Sequence, residues 1–185
     1  HCVTGVQTCA LPICSTLVNQ NAQRFVNLAR KYVGTKEEPV GSNRGTLIDS
    51  WNRAVGVPVG SYWCASFVSA VVRDFESQGL DFPLPQSASC DVWLQHARNR
   101  QMLKLDPAVG DLFLVRANAN DATHIGIVSG NNNGTWQTIE GNSNMGGSRN
   151  GFEVVERPSG INRNMIVYIH WCDAIDDDEI GRAHV

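Results

Sequence analysis

The sequence predicts an α+β fold, with helices in its first part and an antiparallel sheet after them. Two observations carry this. Apolar residues recur at the helical period of about 3.6 as far as "CDVWLQHARNR", and beyond Pro107 the period changes to about 2 in "DLFLVR", "THIGIVSG", "TWQTIEGN", "FEVVERP" and "MIVYIHW". Asn-Gly sequences in "NNNG" and "RNG" supply the positive φ that tight hairpins need, so consecutive strands pair antiparallel in a sheet of about five strands.

The first helix is expected over Asn21 to Val33, where Phe25, Leu28, Ala29 and Val33 share a face and Gly34 stops the run. "GSNRGTLIDSWNRAVG" gives a second helix with Ser42 or Asn43 as cap, Leu47, Ile48 and Trp51 as its apolar stripe, and Gly56 as its end. A third runs from about Trp63 to Gln78. It is apolar on most sides through Ala65, Phe67, Val68, Ala70, Val71, Val72 and Phe75, which places it at the centre of the fold, against the sheet. The prolines of "LDFPLPQSAS" interrupt the pattern, and a fourth helix follows, capped by Ser89 or Asp91.

Composition bounds the function. With 185 residues, 42% hydrophobic and 18% charged, the chain suits one domain. A net charge of −3 with no basic stripe argues against nucleic acid as a partner. No apolar run reaches the roughly 20 residues that span a bilayer.

The ends read differently from the middle. Thr8 to Ile13 can be encoded by a DNA string whose reverse complement, in a shifted frame, encodes the Ile180 to Val185 sequence "IGRAHV". Both ends look like translated sequencing adapter, so residues 1–14 and 179–185 are read as non-native scars, leaving 15–178 as one domain truncated at both ends. Excluding the scars leaves Cys64, Cys90 and Cys172, an odd set without zinc-type spacing; a Cys90–Cys172 bridge is the one pairing considered.

Cys64 stands where a helix begins. Unpaired N–H groups and the helix dipole favour a thiolate there, although a cysteine in that place serves equally as a small buried hydrophobe. A nucleophilic thiol needs a base, normally a histidine held by a third polar group. Outside the scars stand His96, mid-helix on a solvated face, His170, beside Trp171, and His124, which opens an alternating strand with Gly126 and Gly130 leaving room for its ring. In "TWQTIEGNSN", Glu140 and Asn142 are two apart on the next strand, so either can accept from the imidazole. Tyr62 and Trp63 flank Cys64 and are candidate substrate-binding residues, Tyr62 also as an oxyanion donor; Trp51, Trp93 and Trp171 read as core. Asn43, Arg44 and Asp49 are candidate polar contacts or helix-end residues, and Asp111 a turn residue.

The blocks "GSYWCASFVSAVV", "GDLFLVR", "HIGIVSG" and "IEGNSN" resemble, in order and spacing, the signature blocks of the CHAP domain, the cysteine, histidine-dependent amidohydrolases and peptidases, relatives of the NlpC-type cell-wall peptidases. The resemblance runs from about Arg30 to Tyr168. It implies a papain-like fold that cleaves peptidoglycan amide bonds, as endopeptidase or N-acetylmuramoyl-L-alanine amidase, through a thioester. It implies Cys64 as nucleophile, His124 as base, Glu140 as orienter of the imidazole and Asn142 as the fourth polar residue. No cofactor and no metal are expected: calcium-binding members carry an Asp-rich loop before the cysteine helix, and here only Asp49 stands there. A monomer acting outside the cytoplasm, secreted or phage-encoded, fits this picture. Two other readings compete with it, a thiol amidase of a small peptide-amide substrate and a catalytically silent cell-wall binding module; intact Cys64, His124 and Glu140 argue against the silent module.

Overall fold

The computed structural model describes residues 11–148, 150–159 and 165–173, with side chains from Gln20 onward. Four helices, α1 (Leu11–Arg30), α2 (Thr46–Ala54), α3 (Cys64–Glu76) and α4 (Cys90–Asn99), precede nearly all of the sheet. The strands are β1 (Leu103–Lys104), β2 (Leu112–Arg116), β3 (Ala122–Asn132), β4 (Thr135–Ser143), β5 (Glu153–Pro158) and β6 (Ile166–Ile169). They form one six-stranded antiparallel sheet in the order β1-β6-β2-β3-β4-β5, so the fold is α+β. The expected strands are present. β1 is additional, and two residues are too short to show an alternation. β2 to β5 pair consecutively, whereas β6 crosses back to lie between β1 and β2.

Several boundaries differ from expectation for local reasons. α1 starts at Leu11, ahead of Asn21, with Pro12 in its first turn, where a missing N–H leaves no bond unmade. The boundary read at residue 14 thus falls inside a helix, and residues 1–10 and 179–185 lie outside the described residues. α1 ends at Arg30 because the next residues tighten into i→i+3 bonds; Gly34, at φ 90°, then donates to the Val154 carbonyl and ties the helix end to β5. α2 is capped by neither Ser42 nor Asn43. Its N-cap is Gly45, which makes no side-chain cap bond. At α4 it is Ser89 that caps, accepting from Val92 N–H, while Asp91 Oδ1 accepts from Ala122 N–H of β3.

Of the two Asn-Gly sequences, only "NNNG" forms the tight hairpin. Asn133 and Gly134, at φ 50° and 87°, make the two-residue turn between β3 and β4. β4 and β5 are joined by a longer loop whose tight turn is at Asn144–Gly147, and Arg149 of "RNG" lies outside the described residues.

α3 is buried on nearly every side and packs on α1, α2, β3 and β4. Around it Phe25, Phe75, Phe82 and Trp171 pack ring against ring, with centroids 4.6–6.3 Å apart. Strand alternation sends Ile125, Ile127 and Ile139 into this core. Val128, on the opposite face of β3, joins a smaller cluster with Phe113, Val115, Ile166 and Tyr168. Among the described residues no helix is long and apolar enough to cross a membrane.

The approach of α3 to β4 depends on Gly141. A Cβ there would stand 2.7 Å from Phe67 Cβ and 2.8 Å from its Cγ. Both belong to a wholly buried residue that cannot swing aside. Gly141→Ala is expected to cost about 1–3 kcal/mol of stability by overpacking, read by urea denaturation. Gly130→Ala, with nothing within 4 Å of the added carbon, is the control expected to change little.

Candidate active site

Cys64 is the first residue of α3, so its sulfur lies at a helix N-terminus. The Trp63 N–H just before it donates to Asn142 Oδ1 at 3.2 Å, and the Trp63 indole donates to Glu37 Oε1 at 2.9 Å. Trp63 is wholly buried, at 0% exposure. The structure therefore corrects its assignment as a substrate-binding residue: it is core, and it anchors the turn into α3. Tyr62, one residue earlier, is 65% exposed and free to meet a ligand.

His124 and Glu140 meet across β3 and β4, with Nε2 3.0 Å from Oε2 and both residues buried. The register that pairs Ile127 with Ile139 sets Glu140 diagonal to His124 when continued. Glu140 has three further partners. Oε1 accepts from Thr138 Oγ1 at 2.7 Å and from the Arg157 guanidinium at 3.0 Å; Oε2 also accepts from Ser143 Oγ at 3.2 Å. Burial pushes this carboxyl up, but the bond to His124, the charges of His124 and Arg157 and the Thr138 bond outweigh it and hold it below the usual range.

Asn142 does not share this task. The β4–β5 register shifts between Glu140 and Ser143, and Asn142 sits at φ 54°. Instead of meeting His124, its amide accepts from the Trp63 N–H before α3 and donates to Gly151 O in the β4–β5 loop at 2.7 Å and to Asn43 Oδ1 ahead of α2 at 3.2 Å. Asn43 is thus the partner of Asn142. Asp49 is taken up by Arg44, with three contacts of 2.9–3.0 Å. Among the described residues no group of three or more His, Cys, Asp or Glu is placed to hold a metal ion.

The remaining titratable residues sort by contact. His96 is exposed, and His170 pairs with Asp111 at 2.8 Å and lies 2.9 Å from the Asp106 carbonyl oxygen. Gly126 does not make room for the His124 ring: a Cβ there would collide with Phe113, so this glycine serves the packing of β2 on β3. Cys90 and Cys172 do not form a disulfide. Cys90 instead lies with its Sγ 3.8 Å from that of Cys64. Nothing in the sequence links two helix starts 26 residues apart, whereas Thr138 and Arg157, directly paired across β4 and β5, follow from strand register once Glu140 is placed.

Cys64 is held well below the usual thiol range. The Cys90 thiol contributes most, burial opposes, and His124 and the Ile125 N–H add to the lowering. For His124, burial pushes downward, but the Cys64 and Glu140 anions outweigh it and raise the imidazole to about 9. Its Nδ1 is buried without a hydrogen-bond partner. A buried nitrogen left unpaired is costly, and here it is the ring atom remaining once Nε2 is given to Glu140.

Fold and site define a class: an α+β protein with a cysteine at the start of its central helix, perturbed by a histidine that a buried carboxylate holds. Residues 56–142 match the family model of the CHAP domain, and they include Cys64, His124, Glu140 and Asn142. This part of the chain is similar to the CHAP domain, whose members are in general hydrolase domains of amidase or peptidase type directed at peptidoglycan. No curated protein and no solved structure matches the chain.

If the thiolate sustains the high imidazole pKa, Cys64→Ala removes one of its two anions. The His124 pKa is then expected to fall clearly below about 9, read by NMR titration of the ring.

Proposed function

We propose that the protein is a thiol hydrolase of peptidoglycan amide bonds, with Cys64 as nucleophile, His124 as base and Glu140 as the residue that orients the imidazole. The observation that carries this is the His124 ring itself: Nε2 is fixed on Glu140, Nδ1 is buried and unpaired, and Cys64 shifts the ionisation of the ring. The Cys64 proton passes to Nδ1, and the pair rests as thiolate and imidazolium. The thiolate attacks the carbonyl carbon of the scissile amide, and the Cys64 N–H, at the open end of α3, donates to the oxyanion. The Trp63 N–H cannot serve there, since Asn142 occupies it. Collapse forms the thioester as the imidazolium gives its proton to the leaving amine. Water, deprotonated by the imidazole, then attacks the thioester carbonyl, releasing the acid and restoring the thiolate–imidazolium pair.

Asn142 is a positioning residue in this scheme, because it fixes the turn from which Cys64 projects. Tyr62 lines the approach of the substrate. Peptidoglycan lies outside the cytoplasm, so the protein works there, as an endopeptidase or as an N-acetylmuramoyl-L-alanine amidase. Mass spectrometry of fragments released from purified walls separates the two: new peptide termini mark the first, free lactyl carboxyls on muramic acid the second. Intact walls after prolonged incubation would defeat the proposal.

Cys64→Ala is expected to abolish the turbidity loss of purified walls while leaving wall pull-down intact, and Cys64→Ser to be nearly as inactive. Glu140→Gln keeps the shape but removes a charged hydrogen bond worth about 1.5–3 kcal/mol, hence a roughly ten- to hundredfold loss of turnover. The sign of its pH effect is fixed. Glu140 raises the His124 pKa, so its loss moves the alkaline limb of kcat/KM from near 9 to lower pH. Asn142→Ala, which leaves the His124–Glu140 pair in place, is expected to cost less turnover and to leave that limb unmoved.

A further inference from the structure

We propose that Cys90 is a further catalytic residue of this site, donating its S–H to the Cys64 sulfur and thereby holding that sulfur as a thiolate. The proposal rests on the reading of Cys64 as nucleophile. It begins from position: Cys90 is the first residue of α4 as Cys64 is of α3, so two helix N-termini converge and bring two buried sulfurs to 3.8 Å. That separation suits a thiol donating to a sulfur anion and is far longer than the roughly 2.05 Å of a disulfide.

Two thiolates cannot be neighbours in a buried site, so once the Cys64 proton has passed to His124 the pair keeps its remaining proton between two sulfurs. Its surroundings decide where the proton rests. Cys64 faces His124 and the Ile125 N–H from β3, both of which favour an anion on it. Behind His124 stand Glu140 on β4 and Arg157 on β5, which bear on Cys64 through the imidazole. Cys90 faces Cys64 and has Asp91 next to it on its own helix, and burial adds to both in pushing the Cys90 thiol well up. The proton therefore stays on Cys90, which is left with an S–H to give and Cys64 as the atom to receive it. A thiol also leaves the nucleophile more reactive than a full positive charge would, because the donated hydrogen bond is weak enough to yield when the carbon–sulfur bond forms.

The test is the pH dependence of Cys64 alkylation by iodoacetamide in fully reduced protein, with the Cys64-bearing peptide quantified by mass spectrometry. Cys90→Ala is expected to move the midpoint of thiolate formation up by about one pH unit, a tenfold loss of thiolate below it. Cys90→Ser, which keeps a donor in the same place, is expected to bring the midpoint most of the way back. If Cys90→Ala does not fold, Cys90→Val, an apolar side chain without a donor, replaces it. A Cys90→Ala profile superimposable on the wild type, or a Cys90→Ser profile that follows Cys90→Ala, overturns the proposal. Alkylation involves no substrate, so this outcome is independent of wall hydrolysis: retained lysis by Cys64→Ala would remove the nucleophile assignment, whereas an unmoved midpoint would remove only the role of Cys90.

Discussion

A carboxylate stripped of water survives only where donors replace the water, and Glu140 is surrounded by four of them. They come from three adjacent strands: His124 from β3, Thr138 and Ser143 from β4, Arg157 from β5. The rest of the site depends on this one group. Arg157 neutralises its charge, so burying Glu140 does not bury a net charge. The hydroxyls of Thr138 and Ser143 fix the plane of the carboxylate, which leaves one lobe of Oε2 for the imidazole. The ring is thereby given one tautomer and one orientation, and its other nitrogen is directed away from the carboxylate.

The order of β3, β4 and β5 is thus a requirement of the chemistry as much as of packing. The two-residue turn at Asn133 and Gly134 sets the register of β3 on β4, and a slip of one residue would put Glu140 on the face of the isoleucines. The thiol arrives from the helical layer by a separate route. α3 comes close enough to the sheet because Gly141 presents no side chain to Phe67, and its first residue is held by the Asn142 amide on the Trp63 N–H. Residues 140 to 142 of one strand therefore serve three purposes in succession, orienting His124, admitting the helix and fixing the turn before Cys64.

This division of labour explains what could be read from the sequence. The period change near Pro107, the buried apolar helix behind Cys64 and the Asn-Gly turn were legible because each is a local pattern whose physics is complete within a dozen or so residues. His124 and Glu140 were legible because a short hairpin forces them together. Asn142 was misjudged as a rival to Glu140 because a period of two assumes an unbroken strand, and the irregularity at Ser143 with its left-handed backbone at Asn142 leaves no mark in composition. Trp63 lies in the core with its indole on the buried Glu37, 26 residues upstream, a contact that no local pattern shows. The crossing of β6, the short β1 and the meeting of Cys90 with Cys64 are all contacts between distant segments, set by how layers stack.

Taken as charges, the site balances. In the proposed resting form, thiolate, imidazolium, carboxylate and guanidinium alternate in sign along the row Cys64, His124, Glu140 and Arg157. Alternation lets four ions share a dry interior, because each is solvated by its neighbours. It also makes the ionisation of the thiol a property of the whole row. Removing Arg157 would leave Glu140 with less reason to stay ionised, a neutral Glu140 would cease to hold the proton on His124, and a neutral imidazole would let the proton return to sulfur. The ionisation of Cys64 on α3 is thus set in part by a guanidinium on β5, a coupling that follows from the buried electrostatics and needs no movement of the fold.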